Sequence, residues 1–147
     1  MSEDLSTMFT TEQVLDSAKG NVTGVLLGTS AYLKEQHLSP LDWSVWLGKW
    51  FAPGWEGLKG RGAREAAQIA ALVCITLGGK LTSFDGDESR AEFVITGWPN
   101  ADRLQYYQIT LAEADISWEA LGPIAASLDL QCHWQREGDC VRFTFSR

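Results

Sequence analysis

The chain has 147 residues, 45% of them apolar and 21% charged, and its 19 acids outnumber its 12 Lys and Arg for a net charge of -7. A chain of this size can bury a core without disulfides or a structural metal, and its composition excludes the disordered and collagenous classes. The acidic balance argues against DNA, RNA and anionic membrane as partners, since each needs clustered Lys and Arg.

The first residues, MSEDLSTMF, carry acids where a secretory leader carries a basic start and an apolar centre. The longest apolar runs, 24–28 and 70–77, fall far short of the ~20 residues a membrane span needs. Cys74, Cys132 and Cys140 are few and odd in number, as expected of reduced thiols. A soluble, cytoplasmic, single-domain protein over residues 1–147 is the expectation.

Thr10 and Gln13 stand at capping-box spacing, and Val14, Ala18, Val22, Val25, Thr29 and Tyr32 follow at threes and fours, so a helix is predicted from about Thr11 to Gln36. Gly20, Gly24 and Gly28 form a second stripe along it, where another backbone can come close or the helix can break. Ser39, Pro40 and Asp42 give a cap, a proline and an acid at the start of a second helix, Pro40 to Phe51. Trp43, Trp46, Leu47 and Trp50 share one face of it, and Pro53 and Gly54 end it before Trp55. A loop, GWEGLKGRG, leads to a small-sided helix from Ala63 to Leu77, stopped by Gly78 and Gly79.

Beyond Lys80 the period changes to two. LTSF and AEFVIT flank the turn cluster DGDE as a hairpin of open register. LQYYQITL reads as a third strand, with a short helix through Arg103 to Tyr107 as its competitor. Ser117 can cap a helix from Trp118 to Leu128 that contains Pro123. For the closing hairpin we expect Gln135 opposite Cys140, with Arg136 to Asp139 as the turn. Pairing Glu137 with Cys140 sets Arg136 against Val141 and mixes the faces. The fold class is therefore α+β: N-terminal helices packed on one antiparallel sheet with a C-terminal hairpin.

The favoured register puts His133 and Cys140 in diagonal positions on the polar face, with Arg142 across from His133. That geometry suits a thiol nucleophile, a base and an anion holder. Lys59, Arg61 and Arg64 combine with glycines before a helix N-terminus, an arrangement that can hold an anion, though without the spacing of a nucleotide-binding loop. No Cys, His or carboxylate set has metal spacing, so no metal is expected, and no cofactor is specified. Asp85, Asp87 and Glu88 read as turn chemistry rather than a calcium loop.

Trp43, Trp46, Trp50 and Trp55, from a total of seven Trp, are the candidate ligand-binding residues. Such aromatics fill a core, cover a dimer contact or line an apolar cleft. Gly138, Asp139, Cys140, Phe143 and Phe145 in the stretch EGDCVRFTFSR resemble the end of the 4-vinyl reductase domain family, although Cys140 directly follows Asp139 where that family usually has two residues between. The resemblance covers about a tenth of the chain and implies a small-molecule-binding or sensory module, with no metal carried over. Three functions follow: a non-catalytic sensor-like domain holding a small apolar ligand between the tryptophan-bearing helices and the sheet; a cysteine hydrolase or acyl-transfer enzyme using Cys140 and His133; and a homodimeric interaction module.

Overall fold

The computed structural model describes residues 8–147. Most of the acidic stretch weighed above against a secretory leader, up to Thr7, lies outside them.

Helix α1 spans Thr11–Glu35 without a break, and its capping box is formed: Gln13 N donates to Thr10 Oγ1 at 3.1 Å, and Thr10 N donates to Gln13 Oε1 at 2.8 Å. Helix α2, Pro40–Phe51, starts on the Ser39 cap. The expected loop after it begins as a 3₁₀ helix, Ala52–Leu58. Helix α3, Ala63–Thr76, buries Ala63, Ala66, Ala67, Ala70, Ala71 and Cys74, so its backbone approaches the sheet closely.

Strands β1 (Lys80–Gly86), β2 (Arg90–Thr96), β3 (Gln131–Glu137) and β4 (Cys140–Ser146) form one antiparallel sheet in the order β1-β2-β4-β3. The first hairpin pairs Phe84 with Phe93 and carries an irregularity between Leu81 and Ser83. Its turn is held by Asp87, whose Oδ1 accepts from Ser89 N, Ser89 Oγ and Arg90 N. Bonds from the Ser89 hydroxyl and then from the Ser89 and Arg90 amides hold that carboxyl below its ordinary range. The inner face of the two central strands, Ala91, Phe93, Ile95, Val141, Phe143 and Phe145, is the centre of the core. Phe93 and Phe143 stack across the strands at 4.8 Å.

Two expectations are corrected between the hairpins. LQYYQITL is not a strand. Asn100 caps α4, Ala101–Tyr107, its Oδ1 accepting from Arg103 N, and the chain then turns at Gln108 with a left-handed φ of 55°. Thr110, not Ser117, caps the next segment through a second capping box with Glu113, which starts α5, Leu111–Asp115. A 3₁₀ helix, Ile116–Ala120, and α6, Leu121–Ser127, complete the insert. The local capping signals outweigh the β propensity of Tyr106, Tyr107 and Ile109.

The closing hairpin adopts the register that sequence reasoning rejected: Glu137 pairs with Cys140, Gln135 with Arg142 and Trp134 with Phe143. Its loop is the two residues Gly138 and Asp139, with positive φ only at Gly138, the pattern of a type II′ turn. Arg136 does lie on the core face opposite Val141, but it is not out of place there. Its Nη2 donates to Asp115 Oδ1 at 2.8 Å and to the Trp98 carbonyl at 3.2 Å, and Asp115 also accepts from Trp118 Nε1 at 3.1 Å. A buried carboxylate from the insert makes the inward arginine acceptable.

Two stability tests follow. Gly48 faces the 3₁₀ helix so closely that an added Cβ would sit 2.2 Å from the Ala120 carbonyl oxygen, whereas nothing lies within 4 Å of the same position on Gly122. Gly48→Ala is expected to cost about 1–3 kcal/mol through overpacking, and Gly122→Ala, which meets no such carbonyl and is strained only by the Pro123 ring that follows it, to cost less, both read from urea unfolding. Asp115→Ala strands the Arg136 charge, and its unfolding free energy is expected to fall by about 3–5 kcal/mol. Arg142→Ala on the open face is expected to leave the unfolding midpoint in the same assay nearly unchanged.

Candidate functional site: the outer face of α1

Helix α1 is anchored along one side only. Thr23, Leu27, Ser30 and Leu33 are its buried residues. Thr23 Oγ1 donates to the Leu77 carbonyl at 2.7 Å and accepts from Trp98 Nε1 at 3.3 Å. Arg103 of α4 donates from Nη1 to the Gly20 carbonyl at 3.0 Å, and Lys34 bridges to Glu113 at 3.1 Å. The glycine stripe admits side chains rather than a backbone: a Cβ on Gly24 would lie 3.1 Å from the Tyr107 hydroxyl, and one on Gly28 would lie 3.4 Å from its ring.

The apolar stripe read from the sequence turns the other way. At 100° per residue, Val14, Ala18, Val22, Val25, Thr29 and Tyr32 lie diametrically opposite Thr23 and Leu27. Val14 is 57% exposed, Val22 50%, Val25 71% and Tyr32 58%, and Leu15 beside them is 49% exposed. Every residue from Thr11 to Ala18 is exposed, and of these only Asp16 and Ser17 border the depressions between α1 and α4. None of these outward positions carries a charge. Leu15, Ala18, Val22, Val25, Thr29 and Tyr32 alternate in steps of three and four, the spacing of a helix-pairing seam. Sequence reasoning found the stripe and assigned it no direction.

The tryptophan candidates separate. Trp46 and Trp50 point to solvent, 54% and 68% exposed with ring centroids 6.0 Å apart, while α2 turns Ser44 and Gly48 inward. Trp43 is half-buried, and Trp55 packs against the core cluster. Two depressions lie between α1 and α4, one an open groove over Gly20 and Gly24 and one of about 260 Å³ beside Trp98. Neither is lined by Trp43, Trp46, Trp50 or Trp55.

The thiol dyad is corrected by the hairpin register. His133 faces Thr144, and Cys140 lies four residues farther along β4, about 14 Å away. Arg142 faces Gln135 and is engaged by Glu92 at 2.9 Å and Glu137 at 3.5 Å, which leaves no free anion holder. Partial desolvation, followed by the neighbouring carboxylates of Asp139 and Glu137, raises the Cys140 thiol above its ordinary value. Burial pushes Cys74 and Cys132 up to about 12.

The anion loop is engaged too. Lys59 meets Asp129 at 3.7 Å, Arg61 meets Glu65 at 3.1 Å, and Arg64 donates to the Gly86 carbonyl while lying over the Phe84 ring. The first amide of α3, Ala63 N, donates to the Glu88 carbonyl at 2.8 Å. Among the described residues no helix is long and apolar enough to cross a membrane.

No family model matches the chain, nor does any curated protein. The stripe on this 25-residue helix is an uncharged surface.

A reactivity assay checks the reading of Cys140. At neutral pH a raised pKa leaves less thiolate, so iodoacetamide is expected to modify Cys140 more slowly than free cysteine, and His133→Ala to leave that rate unchanged, both followed by mass spectrometry. Alkylation faster than free cysteine that is lost in His133→Ala would restore the dyad.

Proposed function

We propose that the protein is a non-catalytic interaction module that works as a homodimer, with a second copy covering the outer face of α1. The observation that carries this reading is the uncharged seam from Leu15 to Tyr32, turned away from the protein's own core. The net -7 of each chain works against self-association in general, but the seam itself is uncharged, so that repulsion is least at this face. Size supports a second copy. Burying both copies of the seam would remove on the order of 1,000 Å², where specific interfaces begin.

The exposed pair Trp46 and Trp50 is a second apolar patch, on a helix that also exposes Leu41 and Phe51, but it stands beside the charged Asp42 and Lys49. The three free cysteines support a reducing compartment such as the cytoplasm.

Light scattering tests the proposal. The unmodified protein is expected to show a dimer mass at micromolar concentration, and Val22→Glu/Val25→Glu a monomer mass that still unfolds cooperatively, at a lower midpoint that no longer depends on protein concentration, because both sites are exposed on each protomer. Trp46→Ser/Trp50→Ser is expected to remain dimeric. A monomer mass for the unmodified protein up to the highest soluble concentration would sink the reading.

A further inference from the structure

We infer that the two α1 helices pair antiparallel, with Leu15 of one protomer against Tyr32 of the partner subunit; this inference rests on the dimer reading above. A two-fold interface must map its own residues onto one another. Centring the axis between Thr23 and Gly24 of α1 maps the seam onto itself with no position left over. Leu15 meets Tyr32 of the partner subunit, Ala18 meets Thr29 of the partner subunit, and Val22 meets Val25 of the partner subunit. Each layer then sets a residue from one set of heptad positions against one from the other, and no layer contains a charge.

The anchoring of α1 selects this direction over the parallel one. The helix is fixed to the body from Gly20 to Lys34 and overhangs it from Thr11 to Ala18. In a parallel pair the two overhangs would meet only each other. In an antiparallel pair each overhang lies along the half of the partner helix that is already held by its body, so Leu15 packs on a rigid surface. Val14 sits beside it on the same outward face and gains cover from the same neighbour. Antiparallel pairing also opposes the two helix dipoles and places the two bodies, each of net charge -7, toward opposite ends of the pair.

The test uses the full chain carrying Cys140→Ser, with Leu15→Cys, Tyr32→Cys or both, oxidised under mild conditions and resolved on a non-reducing gel. Positions 15 and 32 are about 25 Å apart along one helix, so they cannot join within a chain. The double variant is expected to give a covalent dimer and each single variant to stay uncrosslinked. Crosslinking of either single variant would establish a parallel pair and overturn the inference. A dimer mass in light scattering with no crosslink in any variant would overturn the pairing while leaving the dimer reading intact, and a monomer mass for the unmodified protein would remove the dimer reading itself. Spin labels on Leu15→Cys give an independent measure: a separation of more than about 25 Å is expected, against about 10 Å for parallel helices.

Discussion

The ion pair between Asp115 and Arg136 joins the two halves of the fold. Asp115 comes from the helical insert and Arg136 from the edge strand β3, with side chains only 4% and 15% exposed. Two charges so far from water repay their desolvation only when the remaining donors and acceptors are also engaged. Here they are: Trp118 Nε1 donates to the carboxylate, and the guanidinium also reaches the Trp98 carbonyl. The pair therefore ties the loop after β2, the insert and β3 to a single geometry. It also sets the register of the closing hairpin, since moving β3 by two residues would take Arg136 away from its counter-charge.

That register in turn decides the chemistry of the open sheet face. With Glu137 opposite Cys140, the thiol sits beside two carboxylates and far from His133, and Arg142 lies between Glu92 and Glu137. A four-residue turn would have offered a nucleophile, a base and a cation in one place. A two-residue turn disperses them. The same face thus becomes an ordinary charged surface because of a salt bridge on the opposite side of the sheet.

Local signals were legible in the sequence wherever a few neighbouring residues decide the outcome. Thr10 with Gln13 and Ser39 with Pro40 marked helix starts, the alanines of α3 marked a close-packed face, and the DGDE cluster marked a turn. The misses are those in which a distant partner decides. Arg136 looks wrong on a core face until Asp115, 21 positions earlier, is placed beside it. Tyr106 and Tyr107 suggest a strand until the Asn100 cap gives them a helix and the glycines of α1 give Tyr107 a surface to pack on. Of the candidate site, the stripe on α1 was legible and its orientation was not.

The reason for that last failure says most about the molecule. Amphipathicity assigns the more apolar face of a helix to the interior, yet α1 buries Thr23 and Ser30 alongside Leu27 and Leu33, and exposes Val14, Leu15, Val22, Val25 and Tyr32. Its inner face is held as much by hydrogen bonds as by apolar contact, through Thr23, Trp98, Arg103 and Lys34. A face bonded in this way does not need to be the most apolar one, so periodicity alone points to the wrong side. The turns from Thr11 to Ala18 sharpen the contrast: a helix end exposed at every residue gains little from packing, and here that end carries Val14 and Leu15 beyond its capping box. The bound side of α1 thus mixes hydroxyls with leucines, and its free side carries the larger share of the exposed apolar area.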